Sequence, residues 1–306
     1  IINPTNNYKS SRTEKEAPMI KFGPSGNSLS FYEEGNKRSE QAPEWISGKG
    51  LSLYEYSFGR GVNVSDEKCV LIGENAARFG VEVSVHAPYY INLANTDDAM
   101  IEKSFGYLLK SAEKVRLMGG NRIIFHPAAL GRLTREDAVK LTKERLALLA
   151  ERIKESGFSD LFFCIETMGK INQIGTLEEV AEFCTIADCF IPTIDFGHLN
   201  ARTLGGMNSY EEYLSALELL RGVTGEEKTK KMHVHFSKVE YGKGGEIRHL
   251  TFADEKFGPD FAPLAPVLLE YAPDARVICE SDGTQAEDAV TMMKICLGCE
   301  ERKSAL

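Results

Sequence analysis

Short apolar segments that suit β-strands alternate with amphipathic segments that suit α-helices from Met19 onward, with no break in composition. Strands are predicted at 19–24, 51–58, 81–87, 122–127, 161–167, 190–196, 232–237 and 276–281. Helices are predicted at 38–48, 65–79, 98–118, 135–156, 176–187, 209–221, 259–271 and 284–299. Eight strands alternating with eight helices imply a parallel sheet, and eight such units close most simply into a cylinder. The sequence therefore predicts the α/β class and a single-domain (β/α)8 TIM barrel; an open doubly wound sheet, which would leave edge strands, is the alternative.

The length and composition suit one globular domain. The chain has 306 residues, and α/β barrels of about 250 residues commonly form a single core. Residues 1–18 are polar and lack periodicity, so we expect a disordered extension there and the barrel over residues 19–306. No apolar run approaches the roughly 20 residues that cross a bilayer, and no signal segment is recognisable. We therefore expect a cytoplasmic protein without a membrane partner.

Charge and cysteine usage narrow the possible classes of protein. The formal net charge of −9 argues against broad electrostatic attraction to nucleic acid or anionic membranes. It does not exclude an enzyme that acts on DNA, because bound divalent cations would offset several carboxylates. The seven cysteines are odd in number and lie mostly in apolar segments. Buried thiols in a reducing compartment are therefore expected, rather than a metal or redox pair at Cys296 and Cys299.

Histidines and carboxylates gather where the predicted strands run out into turns. They are His86, His126, His198, His233, His235, His249, Glu166, Asp195 and Glu280. Histidine is the commonest side-chain ligand of transition metals, and carboxylates complete many zinc and manganese shells. Because the carboxyl ends of barrel strands meet at one rim, the pattern predicts a metal centre at that rim.

The fifth to eighth predicted strands end in one group of four possible ligands, Glu166, Asp195, His233 and Glu280. Adjacent strands lie about 4.8 Å apart, so side chains at equal height can converge on one cation. Three carboxylates without a basic partner on these strands would be costly to bury in the absence of a metal. A metal site is therefore favoured over a structural polar network.

Two further histidines end the third and fourth predicted strands. His86 and His126 are each followed by a helix-breaking pattern, HAP and HPA, which stops the strand where a ligand should emerge. A lone histidine in such a place is more often structural than a ligand. Two on neighbouring strands beside Glu166 favour a second metal ion.

The sequence leaves more than one role open for the remaining histidines. His198 lies three residues after Asp195, in what we expect to be a loop, and His249 lies in the long segment after the seventh strand. Both are candidates to hold a third ion. His235 alternates onto the same face as His233 and is expected to have a core or supporting role.

The number of ions separates two chemistries. Clusters of two or three divalent ions suit hydrolysis of phosphate esters, since they bind the scissile phosphate and lower the pKa of an attacking water. A single ion held by two Glu, one Asp and one His suits a sugar isomerase or epimerase, in which a carboxylate moves a proton.

The segment HAPYYINLAN at 86–95 adds Tyr89 and Tyr90 on a loop after a predicted ligand. These rings could stack on bases or wedge into a duplex, or the loop could pack on the following helix.

From Met19 to the final helix, the chain resembles endonuclease IV, the zinc-dependent apurinic/apyrimidinic endonuclease family 2 within the xylose-isomerase-like superfamily. HAPYYINLAN is similar to that family's His-x-x-Tyr-x-Ile-Asn-Leu loop, IDFGHLNA to its Asp-x-x-His spacing, and HVHFSK to its His-Leu-Asn-Asp-Ser-Lys pattern. The resemblance implies two or three Zn²⁺ ions, with Mn²⁺ as an alternative, and cleavage of double-stranded DNA 5′ to abasic sites by a monomer.

The resemblance also assigns roles to residues. It implies metal ligands at His86, His126, Glu166, Asp195, His198, His233, His249 and Glu280, with His233 preferred over His235. Substrate contacts are implied at Arg60, Tyr89, Tyr90 and Asn92. Glu166 and Glu280 are the expected catalytic carboxylates, and in a single-metal isomerase the same pair would move protons.

One departure bears on the third ion. The family uses an Asp-x-His pair there, and in this chain Ile247 stands where the aspartate is expected before His249. Glu246 could substitute for it, or the third site could be weak or empty. A sugar isomerase or epimerase with one Mn²⁺ or Co²⁺ therefore remains the alternative function, and a metal-stabilised binding protein is a third.

Overall fold

Eight parallel strands form the central sheet in a computed structural model that describes residues 19–59 and 61–304. The predicted N-terminal extension 1–18 and Arg60 lie outside the described residues. The strands are β1 (Lys21–Pro24), β2 (Leu53–Ser57), β3 (Glu82–His86), β4 (Arg122–Phe125), β5 (Phe162–Glu166), β6 (Phe190–Asp195), β7 (His233–Phe236) and β8 (Arg276–Cys279). Each lies inside its predicted segment, so the predicted strands are confirmed.

The sheet closes on itself. Its order is β1-β8-β7-β6-β5-β4-β3-β2, and every neighbouring pair in that order is parallel. The two ends of this order meet through a parallel bridge between Ser25 and Glu55, and the Gly26 N–H donates to the Glu55 carbonyl at 2.9 Å. The predicted single-domain (β/α)8 TIM barrel is confirmed, and the open sheet is excluded.

Helices surround the barrel and connect its strands. They are Leu29–Glu33, Ala42–Gly48, Asp66–Phe79, Asp98–Leu117, Arg135–Glu155, Leu177–Phe183, Phe196–Arg202, Tyr210–Thr224, Glu226–Lys230, Ala265–Tyr271 and Gln285–Ser304, with a 3₁₀ turn at Ser39–Gln41. All eight predicted helices are present. Short helices of five to seven residues were missed at Leu29–Glu33, Phe196–Arg202 and Glu226–Lys230, because so few residues carry no clear amphipathic period.

Polar side chains cap the helix starts that the sequence marked. The Thr134 hydroxyl accepts the Asp137 N–H at 3.1 Å. Thr176 and Glu179 form a reciprocal capping box, in which each side chain accepts the other residue's backbone N–H. Such caps satisfy backbone donors that the first helical turn leaves unpaired.

Two small antiparallel pairs lie on the loops beyond the barrel strands. Ala128–Ala129 pairs with Gln173–Ile174, and Lys238–Gly242 pairs with Gly245–Leu250 in a hairpin. The long segment after β7, to which the sequence analysis assigned no element, is thus a hairpin that carries His249. The Glu246 N–H of this hairpin donates to the Gly169 carbonyl at 3.2 Å, so the hairpin is tied to the loop after β5.

The barrel interior changes from apolar to charged along its axis. Ile124, Cys164 and Ile191 form a small buried apolar cluster on β4, β5 and β6. Two residues further along β5, on the same inward face, lies fully buried Glu166. The main apolar core lies instead between the strands and the helices. The barrel axis is therefore free to hold polar groups at the carboxyl ends of the strands.

No helix in the described part of the chain is long and apolar enough to span a membrane.

Barrel closure generates a prediction at Gly23 in β1. A Cβ atom there would lie 1.7 Å from the Leu53 carbonyl oxygen of β2, so Gly23→Ala forces the two strands apart. We expect the free energy of unfolding to fall by about 2 kcal/mol or more, as measured by chemical denaturation. Gly106→Ala is the matched control, because a Cβ on this exposed helical glycine meets open space. It should stabilise the protein by about 0.5–1 kcal/mol. Equal stability of the two variants would contradict the role given to Gly23.

Candidate metal centre

Glu166 at the end of β5 is the hub of a buried cluster. Its Oε2 lies 3.1 Å from His86 Nε2 and 3.2 Å from His126 Nε2, and its Oε1 lies 3.0 Å from His235 Nδ1. The three histidines come from the ends of β3, β4 and β7. One carboxylate thus faces three imidazoles from three strands, as the barrel topology predicted for strand-end ligands.

A second set of ligand atoms adjoins the first. Ligand atoms of Glu166, Asp195, His235 and Glu280 all lie within 4.8 Å of one another. Glu166, Asp195 and His235 are fully buried, and His235 Nδ1 is 3.5 Å from Glu280 Oε2. In the described part of the chain, Asp195 Oδ2 is buried without an aligned hydrogen bond, and His198 Nδ1 lies 3.3 Å from it. A buried carboxylate oxygen of this kind is costly unless a cation completes its shell, so these residues fit a metal ion.

His235, and not His233, faces this set, which corrects the prediction from the sequence. In the hydrogen-bonded register, Glu166 pairs with Thr193 and Thr193 with His233. The strands of such a barrel are tilted, so that residues at equal height shift by about one position per strand. Two strands away from Glu166, the shift moves the equal-height position from His233 to His235. The preference for His233 came from the resemblance of HVHFSK to the family's motif, which carries no information on strand tilt.

His233 lies one layer deeper, against a carboxylate that the sequence analysis missed. Its Nε2 is 3.0 Å from Oε2 of Glu55 in β2, and both residues are fully buried. Burial lowers the pKa of His233 to about 4. Glu55 carried a signal that could have identified it, since it is a charged residue on the inward face of an otherwise uncharged strand, Leu53–Ser57.

A third set of ligand atoms lies under the hairpin. His198 Nε2 is 3.5 Å from Glu246 Oε2, and His249 Nε2 is 4.0 Å from Glu246 Oε1. Glu246 therefore places a carboxylate between His198 and His249. The Ile247 side chain is 57% exposed and takes no part in the set.

The loop predicted after β6 is a short helix. The fully buried Asp195 caps it, and its Oδ1 accepts the His198 N–H at 2.8 Å. This cap places His198 over the site, because Asp195 and His198 share the first helical turn.

Hydrogen bonds orient three of the histidines in the same way. The Nδ1 atoms of His86, His198 and His249 lie 2.9, 2.9 and 2.8 Å from the Ala87 carbonyl, the Thr167 carbonyl and the Ser237 hydroxyl. A neutral imidazole carries one proton. A carbonyl oxygen only accepts, so His86 and His198 in the neutral form place the proton on Nδ1 and direct the Nε2 lone pair at the cluster, as a metal ligand requires. The Ser237 hydroxyl can donate or accept, so at His249 the contact fixes the ring orientation.

The electrostatics of the cluster also favour a cation. Burial opposes the charged form of His86, but the Glu166 carboxylate outweighs it and raises the pKa of His86 to about 9. Burial likewise opposes charge on His198, and Asp195 raises the pKa of His198 to about 10. Burial raises the pKa of Asp195 itself. The carboxylates thus draw positive charge to the places where divalent ions would supply it.

The tyrosines of the loop after β3 lie at the rim. Tyr89 is 61% exposed and Tyr90 39% exposed, with ring centroids 5.2 Å apart. Asn92 Oδ1 accepts the backbone N–H groups of Ala94 and Ala129, both at 3.1 Å. This oxygen holds the loop in place, and the substrate contact expected of Asn92 remains a prediction.

A cavity of about 330 Å³ opens above the cluster. Besides the ligand residues, its lining includes Ser25, Ser57, Tyr89, Met168, Lys170 and Gln173. The cluster is therefore accessible from the rim, and an exposed tyrosine and a lysine stand at its edge.

Comparison with known proteins identifies the family. Residues 45–296 match the family described as xylose isomerase-like TIM barrel. An uncharacterized protein of Methanocaldococcus jannaschii is 30% identical over 278 residues, which cover 90% of this chain and 96% of that protein. A probable endonuclease 4 of Acholeplasma laidlawii is 31% identical over 169 residues, 52% of this chain and 54% of that protein, so the match spans about half of each.

A solved structure shares the fold at lower sequence identity. The crystal structure of a D-tagatose 3-epimerase-like protein superposes with a TM-score of 0.71 at 20% identity, covering 93% of this chain and 100% of that chain. The chain belongs to the xylose isomerase-like TIM barrel family, and probable endonuclease 4 proteins are among its relatives.

Proposed function

We propose that this protein is a metal-dependent phosphodiesterase of the endonuclease IV type, which hydrolyses the DNA backbone 5′ to an abasic site and leaves a 3′-hydroxyl. The observation that carries the proposal is the presence of three adjoining sets of ligand atoms around Glu166 and Glu246. Clusters of two or three divalent ions suit phosphodiester hydrolysis, because they can hold both the attacking and the leaving oxygen. The sequence match to a probable endonuclease 4 supports the same choice.

The ligands divide into three groups. In this proposal, His86, His126 and Glu166 hold one ion, since both imidazoles lie within 3.2 Å of Glu166 Oε2. Glu166, Asp195, His235 and Glu280 hold the second, and His198, Glu246 and His249 hold the third. Bound divalent ions would neutralise the scissile phosphate, lower the pKa of an attacking water and stabilise the leaving oxygen. Histidine and carboxylate ligands suit Zn²⁺ and also accept Mn²⁺.

The chain's own residues position the substrate. Tyr89 stands at the rim with an exposed ring, where it can stack on bases or wedge into the duplex beside the lesion. Tyr90 is less exposed, and its ring packs on Tyr107 of the following helix with ring centroids 5.3 Å apart, so it supports the loop from behind. Lys170 lines the cavity, and its ammonium group can pair with a backbone phosphate. These contacts supply local attraction for DNA on a chain whose net charge is −9.

The second candidate function is a sugar epimerase or isomerase with one Mn²⁺ or Co²⁺ at the Glu166–Glu280 group. The cavity of about 330 Å³ favours it, because a partly enclosed space of this size suits a small ligand. In that reaction Glu166 and Glu280 would move protons between carbon atoms of the sugar.

The deciding experiment uses a duplex with a single tetrahydrofuran abasic analogue. We expect the purified protein to contain two or more zinc ions per chain and to cut this duplex 5′ to the lesion, as shown by denaturing gel analysis. One manganese ion per chain, no incision and interconversion of ketoses or aldoses in a sugar panel would replace the proposal with the epimerase.

Two single variants separate the chemistries within one protein. His126→Ala removes a ligand from the first ion only, so we expect at least a 100-fold loss of incision and one ion fewer by metal analysis. A single-ion epimerase would keep most of its activity in this variant. Glu280→Gln is the matched control, since it removes a ligand of the second ion and should abolish either reaction. Retained incision in His126→Ala would show that the first ion is assigned wrongly.

The rim tyrosines yield a prediction about DNA binding. Tyr89→Ala removes the most exposed ring of the loop and should weaken binding of abasic DNA about 5- to 150-fold, because stacking contributes about 1–3 kcal/mol. Tyr89→Phe keeps the ring and should bind nearly as the wild type does. Fluorescence anisotropy with labelled duplex measures both, and metal content should not change in either variant. Equal binding by the two variants would argue against stacking.

The third ion can be tested through Glu246. We expect Glu246→Ala to lose one ion of the wild-type complement, measured by metal analysis after dialysis. Adding Ile247→Asp to that variant should not restore the ion, because residue 247 faces solvent in this hairpin. Recovery of the ion in the double variant would show that the hairpin adopts the other register in solution.

A further inference from the structure

A fully buried cluster of polar side chains lies beneath the metal centre, and the proposed reaction does not use it. Glu55 of β2 contacts the other members of this cluster. Its Oε2 accepts a hydrogen bond from the Ser84 hydroxyl at 2.9 Å and lies 3.0 Å from His233 Nε2. Its ion-pair partners in the described part of the chain are the histidines His233 and His235. A carboxylate buried this deeply on a barrel axis is costly, so its retention calls for a role.

The second carboxylate oxygen of Glu55 points to that role. Glu55 Oε1 lies 3.0 Å from His235 Nε2, and within the described residues neither atom has an aligned hydrogen-bond partner. On the other side of the same ring, His235 Nδ1 lies 3.0 Å from Glu166 Oε1 and 3.5 Å from Glu280 Oε2. The imidazole of His235 is therefore held between a carboxylate below and the carboxylates of the metal centre above.

The ring of His235 is turned the opposite way from the rings of His86, His198 and His249. His86, His198 and His249 place Nδ1 on a carbonyl or hydroxyl oxygen and direct Nε2 at the cluster. His235 directs Nδ1 at the cluster and Nε2 at Glu55. Its nearest group on the far side is also a charged carboxylate, a stronger hydrogen-bond acceptor than a carbonyl or a hydroxyl.

We propose that Glu55 is a positioning residue that holds the proton of His235 on Nε2, so that the Nδ1 lone pair is presented to the ion bound by Glu166, Asp195 and Glu280. A neutral imidazole has one proton, and the nitrogen that carries it cannot bind a metal. The Ser84 and His233 hydrogen bonds fix Glu55 in turn, and they leave Oε1 for His235. The inference rests on the proposed metal centre. Ligand atoms of Glu55, His233 and His235 also lie within 4.8 Å of one another, and the inference assigns this group to support of His235 rather than to an ion of its own.

The expected effect is confined to one ion. Removing a carboxylate that orients a histidine ligand typically costs 10- to 100-fold in metal affinity. The other ions should keep their affinity, because Glu55 contacts none of the ligands that only they use. A general loosening of the barrel would instead weaken all the ions together.

The test is the Zn²⁺ affinity of the full chain, measured by chelator competition for the wild type and for Glu55→Gln. The substitution keeps the size of the side chain and removes its charge. We expect one ion to bind 10- to 100-fold more weakly and the others to be unchanged. Ser84→Ala is the matched control, since it removes one hydrogen bond to the same carboxylate but leaves the charge. It should weaken that ion less than 10-fold. Unchanged affinity in Glu55→Gln, or equal weakening of all ions, would overturn the inference.

A second measurement does not depend on the stability of any variant. The ring ¹⁵N chemical shifts of His235 in the zinc-loaded wild type report which nitrogen carries the proton. We expect a protonated Nε2 and a metal-bound Nδ1, and a proton on Nδ1 would overturn the inference. Failure of the proposed function is recognised separately, in the wild type alone, by the absence of incision at the abasic analogue. Neither the affinity ratio nor the ring shifts require that activity.

Discussion

The mutual repulsion of buried carboxylates at one end of the barrel is the constraint on which the rest of the site depends. Glu55, Glu166 and Asp195 are fully buried, and Glu280 adjoins them. In a medium of low dielectric, such charges are tolerated only if positive charge is close at hand. The histidines around them supply part of it, and the ligand geometry suits divalent ions that would supply more. The arrangement thus favours binding over stability, as is usual at functional sites.

The barrel makes this concentration of charge possible because each strand contributes only one or two side chains to it. The apolar core lies mainly between the strands and the helices, where the described residues pack closely. The interior of the barrel is therefore free to carry polar groups in successive layers, with Ile124, Cys164 and Ile191 as a small apolar floor. Above the floor, Glu55 and His233 support His235, and His235 faces the candidate metal centre. The residues that support His235 thus lie below the candidate metal centre along the barrel axis, and the opening to solvent lies above it.

The loops after β5 and β7 act together although they are far apart in the sequence. The hairpin that carries Glu246 is hydrogen-bonded to Gly169. Gly169 has no room for a side chain, because a Cβ there would lie 2.7 Å from Glu246 Cβ. The third set of ligand atoms therefore depends on close approach of two loops. This explains how the chain places a carboxylate beside His198 and His249 without the aspartate expected at position 247.

The sequence by itself determined the fold and most of the strand-end side chains that gather at the rim. Strand and helix periods are local, and a residue at the end of a barrel strand reaches the same rim whatever surrounds it, so His86, His126, Glu166, Asp195 and Glu280 were placed together correctly. Only the tertiary structure showed that His235 rather than His233 lies level with Glu166, because the tilt of the strands shifts the residues that lie at equal height along the barrel axis. Only the structure brought Glu55 under His235, since β2 and β7 meet across the barrel axis. The tertiary structure also placed Glu246, rather than residue 247, beside His198 and His249, because the strand pairing of the hairpin sets which side chain faces inward. These three outcomes depend on contacts between distant segments, which no local pattern in the sequence encodes.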